Sequence, residues 1–92
     1  MRDQGELDTA RSLFERALAI RKARLGPDHH RTAESLSNLA GVLADRGDLT
    51  TAHSLLERAV AIREACLGAD HPDTVQSRQD LAAVVAALDN RQ

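Results

Sequence analysis

The chain has 92 residues, enough for one small domain, and its formal charge of −2 with a pI near 6.0 gives it no basic surface for nucleic acid or for an anionic membrane. Apolar residues make up 42% of the chain but aromatic residues only 1%, so the core must consist of Leu, Ala, Val and Ile, which favours helices. A single cysteine excludes an internal disulfide, and the absence of a signal segment or an apolar run of about 20 residues predicts a cytoplasmic protein.

The first two predicted helices occupy the amino-terminal half of the chain. Apolar residues recur every three or four positions from Leu7 onward, which is the pattern of an amphipathic helix. Gly26 and Pro27 end this helix, because glycine favours the last turn and proline cannot extend it. The same spacing predicts a second helix over about 31–46, with Gly47 as its end.

The carboxy-terminal half repeats this arrangement. A third helix is predicted over about 49–67, followed by Gly68, and a fourth over about 73–88 after Pro72. No segment alternates between apolar and polar residues for long enough to form a strand. The short turns place successive helices antiparallel, so the sequence predicts an all-α fold of packed αα-hairpins.

The sequence contains an internal repeat. Residues 5–44 match the chain 42 residues further on, so that Gly47-Asp48-Leu49 repeats Gly5-Glu6-Leu7, and about half of the aligned positions in 13–40 are identical. A period of this length is typical of a helical solenoid, whose units pack on their neighbours and present an extended surface.

Alanines at repeated positions predict close helix packing. They occur at the positions Ala10, Ala17, Ala40, Ala52, Ala59 and Ala82. A larger side chain there is expected to push the paired helices apart.

These features resemble the tetratricopeptide repeat of the 42-residue kind found in kinesin light chains. Segment 35–48 resembles helix A of that family and segment 49–68 resembles helix B, with small residues at Ala40, Ala52 and Ala59. The linker Gly-x-Asp-His-Pro of this subtype is present in full at 68–72 and altered at 26–30. The resemblance implies a short superhelix of four antiparallel helices.

By the same resemblance, the chain starts on a helix B and finishes on a helix A. It divides into a half repeat at 5–27, a full repeat at 31–69 and a half repeat at 72–90.

The resemblance also implies where a peptide would bind. In the family, helix A lines a concave groove, and the matching positions here are Glu34, Ser37, Asn38, Gly41, Asp45, Gln76, Gln79, Asp80, Ala83 and Ala87. Asn38 is the position at which the family commonly holds a peptide backbone through an amide. The set has no Lys or Arg, so the basic clamp of some relatives is missing, and its acidic residues suggest a basic or polar peptide. The alternative is that these residues are simply solvated.

A second hypothesis is self-assembly through the two ends of the solenoid. The outer faces of the first and last helices are expected to lie open, and four apolar residues are candidates for self-association: Phe14, Leu18, Val85 and Leu88. Arg78 occupies the position that matches Leu36, where a charge is tolerated only if water reaches it.

Catalytic and metal sites are not predicted. The Asp-His pairs at 28–29 and 70–71 are a full repeat apart, so they are expected to order their loops rather than to bind one metal ion. Cys66 has no evident base partner, no nucleophile or phosphate-binding motif is present, and charged residues such as Glu57 and Arg63 read as a solvated helix face.

The sequence therefore predicts a non-catalytic protein-interaction module without a cofactor, which binds a protein or peptide partner and neither nucleic acid nor a membrane. A self-assembling structural module and a repeat fragment of a larger regulatory protein are the alternatives.

Overall fold

The computed structural model describes residues 4–90, which form four helices and no strand. They are α1 (Gln4–Leu25), α2 (His30–Asp45), α3 (Leu49–Leu67) and α4 (Pro72–Asp89). Each helix packs against the next one in the chain, which confirms the predicted all-α fold of antiparallel hairpins. Within residues 4–90, no helix combines the length and the apolar character that crossing a bilayer requires.

The helices end as the sequence predicted, within a few residues. Gly26, Gly47 and Gly68 follow α1, α2 and α3, and each has a φ between 90° and 97°. This left-handed conformation is open to glycine at little cost, whereas a side chain would strain it. The Gly26 N–H donates to the Lys22 carbonyl and the Gly68 N–H to the Glu64 carbonyl, both at 3.1 Å. The two copies of this turn therefore have the same geometry.

Histidines cap the two helices that follow the longer linkers. Nδ1 of His29 accepts from the backbone N–H of Arg31 at 3.0 Å, and Nδ1 of His71 accepts from that of Asp73 at 3.1 Å. Pro72 is the first residue of α4, where its missing N–H removes no hydrogen bond. The prediction that the Asp-His pairs order the linkers is therefore confirmed for the histidines. Helices α2 and α4 each begin one residue earlier than predicted, at His30 and Pro72.

The core is centred on the contact between α2 and α3. Ala40 of α2 and Ala52 and Ala59 of α3 have no exposed surface, so the two helices approach closely at these positions. Larger apolar residues of all four helices surround them, and the buried cluster comprises Leu18, Ala33, Leu36, Leu39, Ala40, Leu43, Ala52, Leu56, Ala59, Ile62 and Val84. The middle hairpin therefore supplies most of the core.

The expectation that Phe14 and Leu18 lie on an open face of α1 is wrong. Leu18 is only 8% exposed and belongs to the core, and Phe14 is half-buried against it. Both residues lie on the side of α1 that packs against α2. The exposed large apolar residues of α1 are instead Leu13, Ile20 and, at its end, Leu25.

In α4 the same expectation holds for one residue of two. Val85 is 38% exposed, whereas Leu88 is half-buried and packs against the core. Arg78 is exposed and forms an ion pair with Glu64, so the charge that replaces Leu36 lies in water as predicted.

Helices α1 and α3 each contain an arginine that links the helix to the next one in the chain. Arg63 is buried, and its Nη1 donates to Ser77 Oγ at 2.7 Å and to the Asp73 carbonyl at 3.2 Å. One repeat earlier, Arg21 makes the same two contacts, with Ser35 and the Arg31 carbonyl. The interpretation of Arg63 as a solvated residue is therefore wrong, because its guanidinium satisfies buried groups at the start of α4.

The close contact at Ala59 predicts how a larger side chain changes stability, and Ala17, the equivalent residue of α1, provides a control. Ala59→Leu is expected to lower the free energy of unfolding by about 1–3 kcal/mol, because it overpacks the contact with α2. Ala17→Leu changes the equivalent position of α1, which is half-buried and lacks that neighbour, and is expected to change stability by less than about 1 kcal/mol. Urea denaturation followed by circular dichroism measures both. Equal losses would contradict the packing described.

Candidate functional site

Helix α2 is enclosed on all but one side. Beyond its first turn, its exposed residues are Glu34, Asn38, Gly41 and Asp45, whose spacing of three and four residues places them on a single stripe. The rest of the helix beyond that turn is buried or half-buried, because α1 and α3 pack on it from both sides. This stripe is thus where a partner can reach the middle of α2.

A pocket of about 250 Å³ lies along the stripe, between α2 and α4. Its apolar floor comes from Ala40, Leu56 and Val84, which are all at most 6% exposed. Small residues leave the space open, and they are Gly41 and Ala44 of α2 and Ala83 of α4. Helices α2 and α4, together with Leu56 of α3, therefore form a concave site, which we call the groove.

The groove contains five of the predicted binding residues. Ser37, Gly41, Asp45, Asp80 and Ala83 line it. The other predicted residues Glu34, Asn38, Gln76 and Gln79 are exposed outside its lining, and Ala87 is half-buried. Sequence reasoning missed Ala40, Ala44, Leu56 and Val84. The 42-residue repeat carries no signal for them, because it marks Ala40 and Leu56 as core residues like any others.

Two of the outlying residues have partners within the protein. Glu34 forms an ion pair with Arg21 at 2.9 Å, which links α1 to the stripe. Gln76 Nε2 donates to Asp80 Oδ1 at 2.9 Å, which orients that carboxylate from one turn earlier in α4. These contacts hold the rim of the groove in place.

The groove is acidic where it is polar. Asp45 and Asp80 contribute carboxylates, and among residues 4–90 no Lys or Arg lines it. The Ser37 hydroxyl oxygen is shielded from water and makes no hydrogen bond with residues 4–90. An unpaired buried hydroxyl costs free energy, but a ligand cannot reach an atom without accessible surface, so the polar contacts that the groove offers are its two carboxylates. The site can thus accept an apolar stem that ends in a cationic or hydrogen-bonding group.

The histidines do not form a metal site. Residues 4–90 hold no group of three or more His, Cys, Asp or Glu side chains placed to bind one metal ion. His29 and His71 already use Nδ1 in the helix caps, and His30 stacks on His29 with ring centroids 4.5 Å apart. Cys66 is exposed, and its Sγ donates to the Asp28 carbonyl at 3.3 Å. The Cys66–Asp28 hydrogen bond connects the first linker to the end of α3.

The comparison with known protein families agrees with the architecture. A family model described as Tetratricopeptide repeat matches residues 1–65 and 35–92, which together cover the chain. The chain belongs to the tetratricopeptide repeat family. Repeats of this family are generally protein-interaction modules and typically have no catalytic role. No curated protein matches the chain with statistical significance.

Gly41 and Gly68 both have room for a side chain but differ in backbone conformation, so replacing each with alanine is expected to have opposite effects on stability. A Cβ at Gly41 would meet nothing within 4 Å, and this residue lies inside α2. Gly41→Ala is expected to raise the free energy of unfolding by about 0.5–1 kcal/mol, because alanine restricts the unfolded chain and favours the helix. Gly68 has equal space but a φ of 91°, so Gly68→Ala is expected to destabilise the protein. Thermal denaturation compares the two, and a stabilising Gly68→Ala would contradict the geometry.

Proposed function

We propose that the protein is a non-catalytic interaction module that binds a peptide or helix of a partner protein in the groove. The observation that carries the proposal is the enclosure of α2: its open stripe coincides with a concave, apolar-floored site. Membership of a family of protein-interaction repeats supports the same assignment.

The size of the groove favours a side chain of a protein over a free small molecule. Pockets for drug-sized molecules usually hold about 300–1,000 Å³. The groove, at about 250 Å³, is smaller and opens along the stripe. We infer that one large side chain of the partner enters the groove while the rest of the peptide lies along α2 and α4.

The charge of the groove favours a basic side chain. The stem of a Lys or Arg would cover the floor at Leu56 and Val84, and its charged end would lie near Asp45 or Asp80. An ion pair this close to water contributes only about 0.2–1 kcal/mol. Burial of the stem therefore contributes most of the affinity, and the carboxylates mainly select the partner and speed its approach.

Asn38 is proposed to hold the backbone of the peptide. It is exposed on the same stripe, next to Ser37 of the groove, and its amide can both donate and accept. The equivalent position of α4 is Asp80, which can only accept as a carboxylate. Asn38 of α2 would thus be the residue that both donates a hydrogen bond to the peptide backbone and accepts one from it.

The kinesin light chain-like subtype is part of the proposal. It is supported by the 42-residue period and by the linker at 68–72. His71 of that linker caps α4 and Pro72 begins it, which gives both residues a structural reason to recur together.

Filling the groove tests the proposed function. A peptide display library is selected on the protein, and the affinity of a recovered peptide is measured by fluorescence anisotropy. Gly41→Gln is expected to weaken binding by roughly tenfold or more, because its side chain occupies the space that the peptide needs. The variant should fold normally, since the position is exposed and open. Recovered peptides are expected to be enriched in Lys and Arg.

Ala61→Gln is the matched control, because Ala61 is exposed on α3 and does not line the groove. It should bind the peptide as the parent chain does. Peptides that bind Gly41→Gln with unchanged affinity would show that the groove is not the binding site. Peptides that require Gly41 but carry no basic residue would retain the site and refute its proposed selectivity.

A further inference from the structure

Helices α1 and α4 each expose a stripe of mostly apolar residues. On α1 the stripe consists of Ala10, Leu13, Ala17 and Ile20, which we call the α1 face. On α4 it consists of Val75, Arg78, Ala82 and Val85, which we call the α4 face. Leu13 is 60% and Ile20 48% exposed, and Val75 and Val85 are 39% and 38% exposed. Residues three and four apart share one side of a helix, so each set forms a continuous surface.

The repeat identifies what normally covers the α1 face. Its residues are 42 positions before Ala52, Leu55, Ala59 and Ile62 of α3. Ala52 and Ala59 are fully buried and Ile62 is 5% exposed, whereas Ile20 is 48% exposed. The copies differ in one neighbour: α3 has α2 before it in the chain, and α1 has no described helix before it. The α1 face is therefore the equivalent of the surface by which α3 packs on α2.

The α4 face is the other half of the same interface. Its residues follow Ala33, Leu36, Ala40 and Leu43 of α2 by 42 positions. Those four residues of α2 are at most 7% exposed. Because α4 has no described helix after it, the equivalent residues there stay open. One end of the molecule thus exposes a copy of the α3 side of the α2–α3 contact, and the other end exposes a copy of the α2 side.

We propose that these two faces bind each other between copies of this chain. The α1 face of one copy packs antiparallel on the α4 face of the next, as α3 packs on α2 within one molecule. The occupant of each face is therefore a second copy of this chain.

Charge supports this pairing. Helix α1 has five basic and three acidic residues, whereas α4 has one basic and three acidic residues. The two helices that would meet therefore have opposite net charge. Asp80 lies in the groove, and Arg21 and Arg78 are paired with Glu34 and Glu64 within the molecule, so the difference supplies long-range attraction between copies rather than ion pairs across the faces.

Arg78 sets the strength of the contact. It replaces the buried Leu36 of the internal interface, and its ion pair with Glu64 holds the guanidinium towards α3. The aliphatic part of Arg78 can still cover apolar surface. The contact between copies is consequently weaker than the α2–α3 contact, and it is reversible with protein concentration.

The symmetry of the contact determines the assembly. The two faces are different, so the interface is heterologous. A dimer therefore still has a free α1 face at one end and a free α4 face at the other. Association continues beyond a dimer as concentration rises. The groove lies on another side of α2 and α4, so partner binding and stacking are tested independently.

Sedimentation velocity over a concentration series tests the proposal with two variants. Ile20→Glu disables the α1 face and Val85→Glu the α4 face, both at exposed positions. The parent chain should show a mass that rises with concentration, and each variant alone should be a monomer, with association weakened by roughly tenfold or more. An equimolar mixture of the two variants has one intact pair of faces and should form a dimer that grows no further.

Two further variants calibrate the experiment. Ala19→Glu is exposed on α1 outside the α1 face and should associate as the parent chain does. Arg78→Leu restores the residue of the internal interface and should tighten association by roughly tenfold, an effect that Ile20→Glu abolishes.

Two results would overturn the proposal. One is a monomeric mass at every concentration for both the parent chain and Arg78→Leu, which would show that the two faces do not bind each other. The other is a dimer that persists in Ile20→Glu or Val85→Glu alone, which would place the contact elsewhere.

Discussion

The close approach of α2 and α3 at Ala40, Ala52 and Ala59 is the contact on which the rest of the structure depends. Each of these alanines is fully buried, so the two helices pack without space for a larger side chain. The hairpin so formed still has apolar residues on both outer sides, and α1 and α4 cover them. A chain of repeats buries its core only through such neighbours.

The same packing decides which surfaces are left for function. Enclosure by α1 and α3 leaves α2 one open stripe, and α4 turns that stripe into a groove with an apolar floor and two carboxylates. Within residues 4–90 no helix precedes α1 or follows α4, and each of these helices exposes residues that match one half of the interface buried in the middle hairpin. The surfaces proposed for partner binding and for self-association therefore both follow from the repeat, and they lie on different sides of the helices.

The sequence predicted the fold well because the repeat, the glycines at helix ends and the alanines are local signals. It misplaced Phe14 and Leu18 because α1 has apolar residues on two sides, and spacing alone does not say which side meets α2. It also misjudged Arg63, whose charge suggested exposure. The groove floor was missed because Leu56 and Val84 come together only when α2, α3 and α4 are packed.

Amide hydrogen exchange, resolved by residue at low protein concentration, tests most directly whether the middle hairpin carries the fold. Amides of α2 and α3 around Ala40 and Ala59 should exchange slowest, at rates set by global unfolding, and those of α1 and α4 should exchange faster through local opening. Equal protection in all four helices, or the strongest protection in α1 or α4, would contradict the central role of the α2–α3 contact.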